Sequence, residues 1–212
     1  KYDCLWEEIG EIDVGFCVSW RYMIPSHVYN KPLCGTFVFH DSLLPRYRGF
    51  APTVWSIING ESHTGVTLMK IAENVDAGDI VDQQRVEIDE ADTIADVLEK
   101  VTSTYLVSLQ NSLFSILDGT YTANPQDHSL ATYTVKRTDQ DYKIEWAKPA
   151  KTIYNLIRGC TKPYPGAYTF ISGEKYFIWE ASLSDNRTFA TYSPGRLAGC
   201  SVIRNRQGIS IL

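Results

Sequence analysis

Several signals that assign a chain to a broad class are missing from this sequence of 212 residues. No apolar stretch approaches the roughly 18 residues of a membrane-spanning helix, and no basic segment followed by an apolar one opens the chain, as in a signal peptide. Positive charge is scarce, because 20 lysines and arginines stand against 25 aspartates and glutamates. These absences predict a cytoplasmic protein without a membrane partner, and they argue against a nucleic-acid partner, which requires a broad basic surface.

Patterns typical of metal sites and dinucleotide sites are missing too. The five cysteines are odd in number and follow no metal-ligand spacing, so we expect small buried thiols in a reducing compartment. They are Cys4, Cys17, Cys34, Cys160 and Cys200. A site of His40, His63 and Asp76 would lack a closely spaced ligand pair, and we therefore expect no metal. The dinucleotide pattern Gly-x-Gly-x-x-Gly does not occur.

Strand-like and helix-like segments alternate over the first 120 residues. Residues 14–20 and 35–40 are nearly continuous apolar runs, which are typical of strands buried on both faces of a parallel sheet. Further strands are predicted at 64–71, 76–88, 163–171, 174–183 and 208–212, and helices at 1–12, 51–61, 93–119 and 150–160. The pattern predicts an α/β protein with a parallel-sheet domain at residues 1–125 and a small β-rich lobe at residues 126–212.

His40 ends the second apolar run, and ligands of open α/β sheets bind at the carboxyl ends of the strands. Asp76 follows another predicted strand in a glycine-containing loop, where its carboxylate can orient the imidazole and stabilise its protonated form. The alternatives are a structural histidine and an ordinary turn aspartate. A triad of His40, Asp41 and Ser42 is disfavoured, because adjacent side chains point in different directions and Gly-x-Ser-x-Gly is absent.

Two further segments offer groups that suit a phosphorylated or carbohydrate ligand. Arg46 and Arg48 flank Tyr47 next to the histidine, and their guanidinium groups can bind phosphate with paired hydrogen bonds. Tyr164 lies in the rigid segment "TKPYPGAY" and can stack on a base or a sugar. The alternatives are arginines exposed to solvent in a loop and a tyrosine that packs on the core.

These segments together resemble a known family. "FHDSLLPRYRGFAPTVWSIINGESHTGVTLMKI", followed by "NVDAGDIVDQ", resembles the formyltransferases that use 10-formyltetrahydrofolate. The resemblance continues more loosely through "DYKIEWAKPAKTIYNLIRGCTKPYPGAYTF", which is most similar to the sugar-nucleotide N-formyltransferases. It implies a Rossmann-like catalytic domain, and formyl transfer from 10-formyltetrahydrofolate to the amine of a UDP- or dTDP-linked amino sugar, without a metal. It also implies a role in polysaccharide biosynthesis and allows a homodimer.

The resemblance also implies roles for individual residues. His40 would be the catalytic group beside the formyl carbon, and Asp76 would fix its tautomer and charge. The folate would lie between two backbone segments, and Arg46, Tyr47, Arg48 and Tyr164 would bind the sugar nucleotide. The folate-binding residues would be Tyr22, Met23, Ile24, Val75, Asp76, Ala77 and Gly78.

The sequence departs from the family pattern at three places, which keep other functions open. Val38 occupies the position of an asparagine that donates to the formyl oxygen, Asp41 occupies that of a common proline, and we expect an N-terminal portion to precede residue 1. Loss of one such donor typically costs about 100- to 1,000-fold in rate. A relative that binds folate or sugar nucleotides with weak or no catalysis is therefore one alternative. Methionyl-tRNA formyltransferase is another, although the acidic charge and the short second lobe argue against it.

Overall fold

The computed structural model describes residues 10–183 fully, and of the following residues the backbone at 197–203 and 206–211. The helices are α1 (Ser26–Tyr29), α2 (Pro52–Ile58), α3 (Ile94–Leu117) and α4 (Ala150–Cys160). The strands are β1 (Gly15–Val18), β2 (Thr36–His40), β3 (Arg48–Gly49), β4 (His63–Lys70), β5 (Ile80–Glu87), β6 (Tyr133–Thr134), β7 (Ala167–Ile171), β8 (Glu174–Ile178), β9 (Leu197–Ile203) and β10 (Arg206–Ile211). The helix predicted at the first residues lies mostly outside the described part of the chain.

A four-stranded sheet in the order β1-β2-β4-β5 forms the centre of the first part of the chain. β1 and β2 are parallel, whereas β4 is antiparallel to both of its neighbours. The α/β class is confirmed, and the sheet is mixed rather than wholly parallel among the described strands. A continuous apolar run indicates that both faces of a strand are buried, but it does not indicate the direction of the strand. The antiparallel direction of β4 was therefore not predicted from the sequence.

One face of the sheet is covered by α2 and α3. Many side chains of this core have 0–1% of their surface exposed; they include Phe37, Val54, Ile57, Leu68, Val97 and Val101. Thr93 and Asp96 form a capping box at the start of α3, and the helix ends before Gly119, whose φ is +73°. Both ends match the prediction.

The other face of the sheet is covered by the loop that follows His40. The strand register pairs His40 with Thr67 across β2 and β4, so both side chains lie on this face. The Thr67 hydroxyl donates to the Ser42 carbonyl at 2.6 Å and accepts the Leu44 N–H at 3.2 Å. The chain therefore folds back over the sheet directly after His40, and this return holds the histidine in a buried position.

A second, smaller cluster joins α4 to the hairpin of β7 and β8. Its buried members are Ile144, Ile157, Cys160 and Ala167, and β7 pairs antiparallel with β8. The predicted helix and strands of this lobe are confirmed, and β9 and β10 form a further antiparallel pair. None of the helices among residues 10–183 combines the length and the apolar character that a membrane crossing requires.

Candidate active site

His40 is buried at the end of β2 and is held at both ring nitrogens. Nε2 lies 2.8 Å from the carbonyl oxygen of Tyr47, and Nδ1 lies 3.6 Å from Oδ2 of Asp76. Because a carbonyl can only accept, Nε2 carries a proton, which fixes the tautomer of the neutral ring. Nδ1 is then the nitrogen that can take up a second proton, and that proton would face a carboxylate.

Asp76 lies in the loop between β4 and β5 and adopts a left-handed conformation, with φ +49°. Its Oδ2 accepts the Gly49 N–H at 2.7 Å, and its backbone carbonyl accepts from Gln126 Nε2 at 3.0 Å. Non-glycine residues rarely adopt a positive φ, and they do so where the surroundings hold them. The loop is therefore fixed by its contacts, and the carboxylate is aimed at the histidine.

The chain between Tyr47 and Ala51 is also held in an unusual conformation. Tyr47, Gly49 and Ala51 have φ values of +60°, +101° and +51°, and a side chain at Gly49 would collide with the Thr134 carbonyl. The Arg48 N–H donates to the Thr132 carbonyl at 2.8 Å. Among the described residues, five non-glycine residues have a positive φ, and three of them are Tyr47, Ala51 and Asp76. Backbone strain is therefore concentrated in the segments that contact His40.

Arg46 and Tyr47 face outward from the loop and share one carboxylate. Arg46 Nη2 and the Tyr47 hydroxyl both donate to Glu61 Oε1, at 2.7 and 2.8 Å. Burial raises the pKa of the Tyr47 phenol, which keeps its proton available for this bond. A cavity of about 200 Å³ lies beside these side chains, lined also by Ser42 and His63, so the two residues border a space that a ligand can enter.

Arg48 differs from the expectation of a substrate contact, because only 2% of its surface is exposed. It donates to Gln126 Oε1 from Nε (3.2 Å) and from Nη2 (2.6 Å). Nη2 also lies 2.9 Å from His128 Nδ1, and Nη1 lies 3.3 Å from the Tyr133 hydroxyl. The positive φ at Tyr47 turns the chain between the two arginines, so that one faces solvent and the other the interior.

The segment predicted to bind folate follows β1 and leaves the sheet beside His40, because the register places Val18 next to Phe39. Tyr22 and Met23 are 73% and 59% exposed, and Ile24 is partly buried. The opposite loop presents an exposed Val75, a partly buried Ala77 and a buried Gly78; a side chain at Gly78 would collide with the Lys70 carbonyl. The first segment therefore leaves the sheet where β2 ends. The loop at 75–78 leaves it where β2 begins, because Lys70 pairs with Phe37, and it reaches His40 through the Asp76 carboxylate.

Tyr164, in contrast, packs against the main core. The Arg137 guanidinium lies 4.9 Å from its ring centroid, so one face of the ring is already covered by a cation.

The residues next to His40 in sequence do not join it in a triad. The Ser42 hydroxyl donates to the Arg46 carbonyl at 2.7 Å. Asp41 points away from His40 in the alternation of the strand, and its carboxylate accepts from the Tyr105 hydroxyl on α3. Burial raises the pKa of the Asp41 carboxyl, and this effect is opposed by the charge of His40.

Val38 shares the His40 face of β2 and is partly buried. Its neighbours across the sheet are Cys17 on β1 and Met69 on β4, so the position offers no side-chain donor toward the histidine. Within residues 10–183 no three histidine, cysteine, aspartate or glutamate side chains are grouped closely enough to hold a metal ion.

The chain matches two family models. The formyl transferase model matches residues 8–107, and the model of the formyl transferase C-terminal domain matches residues 136–211. The chain belongs to the formyl transferase family. It is thus a formyltransferase, and the fold and the enzyme class predicted from the sequence are confirmed.

Solved structures of sugar N-formyltransferases share the fold of this formyltransferase. A 4-N formyltransferase from Francisella tularensis is 25% identical, with a TM-score of 0.74, over 87% of this chain and 77% of that one. A Shewanella sugar N-formyltransferase is 24% identical, with a TM-score of 0.69 and coverages of 82% and 71%. The N-formyltransferase of Helicobacter canadensis, in complex with folinic acid and dTDP-3-aminofucose, is 24% identical, with a TM-score of 0.71 and coverages of 92% and 69%.

Gln126 is the residue of this region that the sequence did not single out. It lies 50 positions after Asp76 in a polar stretch near the predicted domain boundary, and no local pattern marks it. The structure places residues 126–134 against the loops around His40, through the Gln126 bonds and the pairing of β6 with β3. Part of what the sequence assigned to the second lobe therefore packs on the first.

Proposed function

We propose that this formyltransferase moves a formyl group from 10-formyltetrahydrofolate to the amine of a UDP- or dTDP-linked amino sugar. The observation that carries the proposal is the buried His40, with its Nε2 proton held by the Tyr47 carbonyl and its Nδ1 facing Asp76. An amine that attacks a formyl carbon must lose a proton, and the carbonyl oxygen gains negative charge. A histidine that can take up a proton beside a carboxylate suits this reaction.

His40 and Asp76 divide the work in this proposal. His40 accepts a proton from the attacking amine on Nδ1, and Asp76 pairs with the imidazolium that results. His40 then returns that proton to the nitrogen that leaves the formyl carbon, which balances the transfer. In this proposal the imidazolium would also stabilise the negative charge that develops on the formyl oxygen.

The two segments at 22–24 and 75–78 suit the folate. Tyr22 and Met23 present apolar surface to solvent, and the backbone at 22–24 and at 75–78 would contact the pterin ring. A pterin is flat and carries donors and acceptors on its edges, so it suits a slot with apolar side chains and backbone polar groups. Folinic acid in the Helicobacter canadensis relative supports this part of the proposal.

For the sugar nucleotide we propose Arg46 and Tyr47 as contacts, because they border a cavity that is also lined by Ser42, two residues after His40. Arg46 is more than half exposed, so it can turn from Glu61 to a phosphate at little cost. Arg48 and Tyr164 keep only indirect roles, since each is already engaged inside the protein. The dTDP-linked sugar in the same relative and the name of the Francisella enzyme support an amino-sugar substrate.

Two further expectations remain part of the proposal. The free thiols of Cys17, Cys34 and Cys160 suit a reducing compartment such as the cytoplasm. A homodimer is proposed from the family resemblance, and light scattering of the purified protein would test it.

The direct test is an assay with 10-formyltetrahydrofolate and a panel of UDP- and dTDP-linked amino sugars, read by mass spectrometry. We expect one product that is heavier by one carbonyl group. Folate binding by calorimetry without any product would contradict the proposal and favour the binding relative. The chemical reason would then be the donor that Val38 cannot supply. Salt-sensitive binding of tRNA would favour the methionyl-tRNA enzyme.

Substitutions then test the residues. His40→Ala and Asp76→Asn should lower kcat about 100- to 10,000-fold, the usual range for general acid–base groups, while folate binding persists. Asparagine can still accept the Gly49 N–H, so that variant removes charge and little else. Asp118→Asn, a matched change at the exposed end of α3, should leave kcat unchanged. Wild-type kcat in either His40→Ala or Asp76→Asn would contradict the assignment of these two residues as the catalytic pair.

A further inference from the structure

We propose that Gln126 is a positioning residue for formyl transfer, because its amide connects the buried Arg48 to the loop that carries Asp76. The inference rests on the proposed roles of His40 and Asp76. It assigns no contact between Gln126 and either substrate. Gln126 acts through the carboxylate that faces the histidine.

The Gln126 amide has every hydrogen-bonding position filled. Its Oε1 accepts two bonds from Arg48, at 3.2 and 2.6 Å, and its Nε2 donates to the carbonyls of Asp76 and Gly78, at 3.0 and 2.7 Å. A guanidinium only donates and a carbonyl only accepts, so the amide has one possible orientation. The side chain is 6% exposed, and water therefore cannot easily replace any of these four bonds.

The two carbonyls bound by Gln126 belong to the loop whose conformation needs support. Asp76 has a positive φ, and such residues persist only where the surroundings hold them. Gly49 N–H holds the Asp76 carboxylate from one side, and Gln126 holds the backbone of the same residue from the other. Arg48 and Gly49 are consecutive, so one short strand anchors the loop by two separate routes.

The charges of the cluster point the same way. The hydrogen-bond partners of the Arg48 guanidinium are Gln126, His128 and Tyr133, and each is neutral or a weak base. A carboxylate at position 126 could pair with this cation but could not donate, whereas an amide accepts from the arginine and also donates to two carbonyls.

Gln126→Glu separates positioning from packing. Glutamate keeps the size of the side chain and accepts more strongly from Arg48, but it loses both N–H groups and places an oxygen against two carbonyls. The matched control is Asn155→Asp on α4. Asn155 is a buried amide that accepts from the buried Arg158 at 2.9 Å, outside the candidate active site.

The experiment uses the full chain in the formylation assay, with kcat and KM measured for both substrates and with hydrogen exchange of the peptide that contains residues 75–79. Gln126→Glu should lower kcat about 10- to 100-fold, since a misplacement of about 1 Å at a catalytic group can cost that much. It should change each KM by less than about threefold, and it should speed hydrogen exchange in that peptide. Asn155→Asp should alter neither kcat nor exchange at 75–79.

A second comparison tests the route through Asp76. In the Asp76→Asn background, Gln126→Glu should cost less than about threefold, because the group that it positions is already disabled. If the glutamate variant does not fold, Gln126→Met carries the same test with the same thresholds.

If the wild-type enzyme turns over and the Gln126→Glu or Gln126→Met variant keeps kcat within twofold of the wild-type value, this inference is overturned. The proposed function is then unaffected. An equal loss of kcat in Asn155→Asp would overturn it too, because a general effect of buried amides would then explain the result. Absence of wild-type turnover on every amino sugar would instead overturn the proposed function, and the inference with it.

Discussion

Gly78→Ala is the substitution whose effect follows most directly from the structure. Gly78 is buried behind the Asp76 loop, and its carbonyl is bound by Gln126. A Cβ built at this position overlaps the carbonyl oxygen of Lys70 and comes within 2.9 Å of its carbonyl carbon. The obstacle is backbone at the end of β4, held by the pairing of Lys70 with Phe37 and by the Lys70 N–H, which donates to the Asp79 carbonyl at 2.9 Å. It cannot rotate away as a flexible side chain would, so the loop itself must move.

The magnitude has two parts. Overpacking of a well-packed site typically costs about 1–3 kcal/mol, which corresponds to a fall in Tm of about 2–12 °C for a chain of this length. The movement that relieves the overlap shifts the residues on either side of position 78, including Asp76. A shift of about 1 Å at a catalytic group can cost about 100-fold in rate, so we expect kcat to fall 10- to 100-fold.

The assay is formyl transfer at saturating substrate, with thermal unfolding measured on the same samples. Gly173→Ala is the matched control, because Gly173 lies in the turn between β7 and β8 with φ +88° and nothing within 4 Å of the added methyl group. That variant should lose about 1 kcal/mol through backbone strain and keep its kcat. A Gly78→Ala enzyme with wild-type Tm and kcat would refute the reasoning.

Two other substitutions, Asp41→Asn and Val38→Asn, should not impair the enzyme: the first should raise Tm, and the second should keep or raise kcat. Burial raises the folded-state pKa of Asp41 above its ordinary value of 3.8, so stability is highest below that value and is lost as the pH rises through the folded pKa. Asp41→Asn should therefore raise Tm at pH 7–8, and the difference from wild type should vanish near pH 4. Thermal unfolding measured across this pH range tests this. A difference that grows in acid would contradict the burial argument. Val38→Asn should leave kcat unchanged or raise it, by at most about 100- to 1,000-fold if the amide supplies a donor to the formyl oxygen. A large loss of kcat in the formylation assay would mean that the active-site geometry of this enzyme requires the valine.

The elements of the fold were predictable because their signals are local. The apolar runs at 14–20 and 35–40 became β1 and β2, and the capping residues Thr93 and Gly119 marked the ends of the longest helix. The direction of β4 was not predictable, because burial on both faces produces the same sequence in parallel and antiparallel strands. The register that places Thr67 opposite His40 is set by long-range packing.

The site was predictable only in part, for the same reason. His40 and Asp76 each lie at or after the end of a strand, within a recognisable motif. Whether Arg46 and Arg48 face solvent or the interior depends on the positive φ of the tyrosine between them. No side-chain pattern reports that angle. Gln126 depends on the chain returning to the site far along the sequence, and only the assembled fold shows it.

The missing asparagine at position 38 gives this arrangement a mechanistic consequence. The Gly49 N–H is already bound to Asp76, and the Nε2 proton of His40 is bound to the Tyr47 carbonyl. In the proposed reaction, the donor that remains for the developing oxyanion would be the proton that His40 gains on Nδ1 from the amine. Acid–base catalysis and stabilisation of the oxygen would then depend on a single imidazolium, and thus on the placement of Asp76. With valine at position 38, much of the proposed chemistry would therefore depend on the contacts that hold the Asp76 loop.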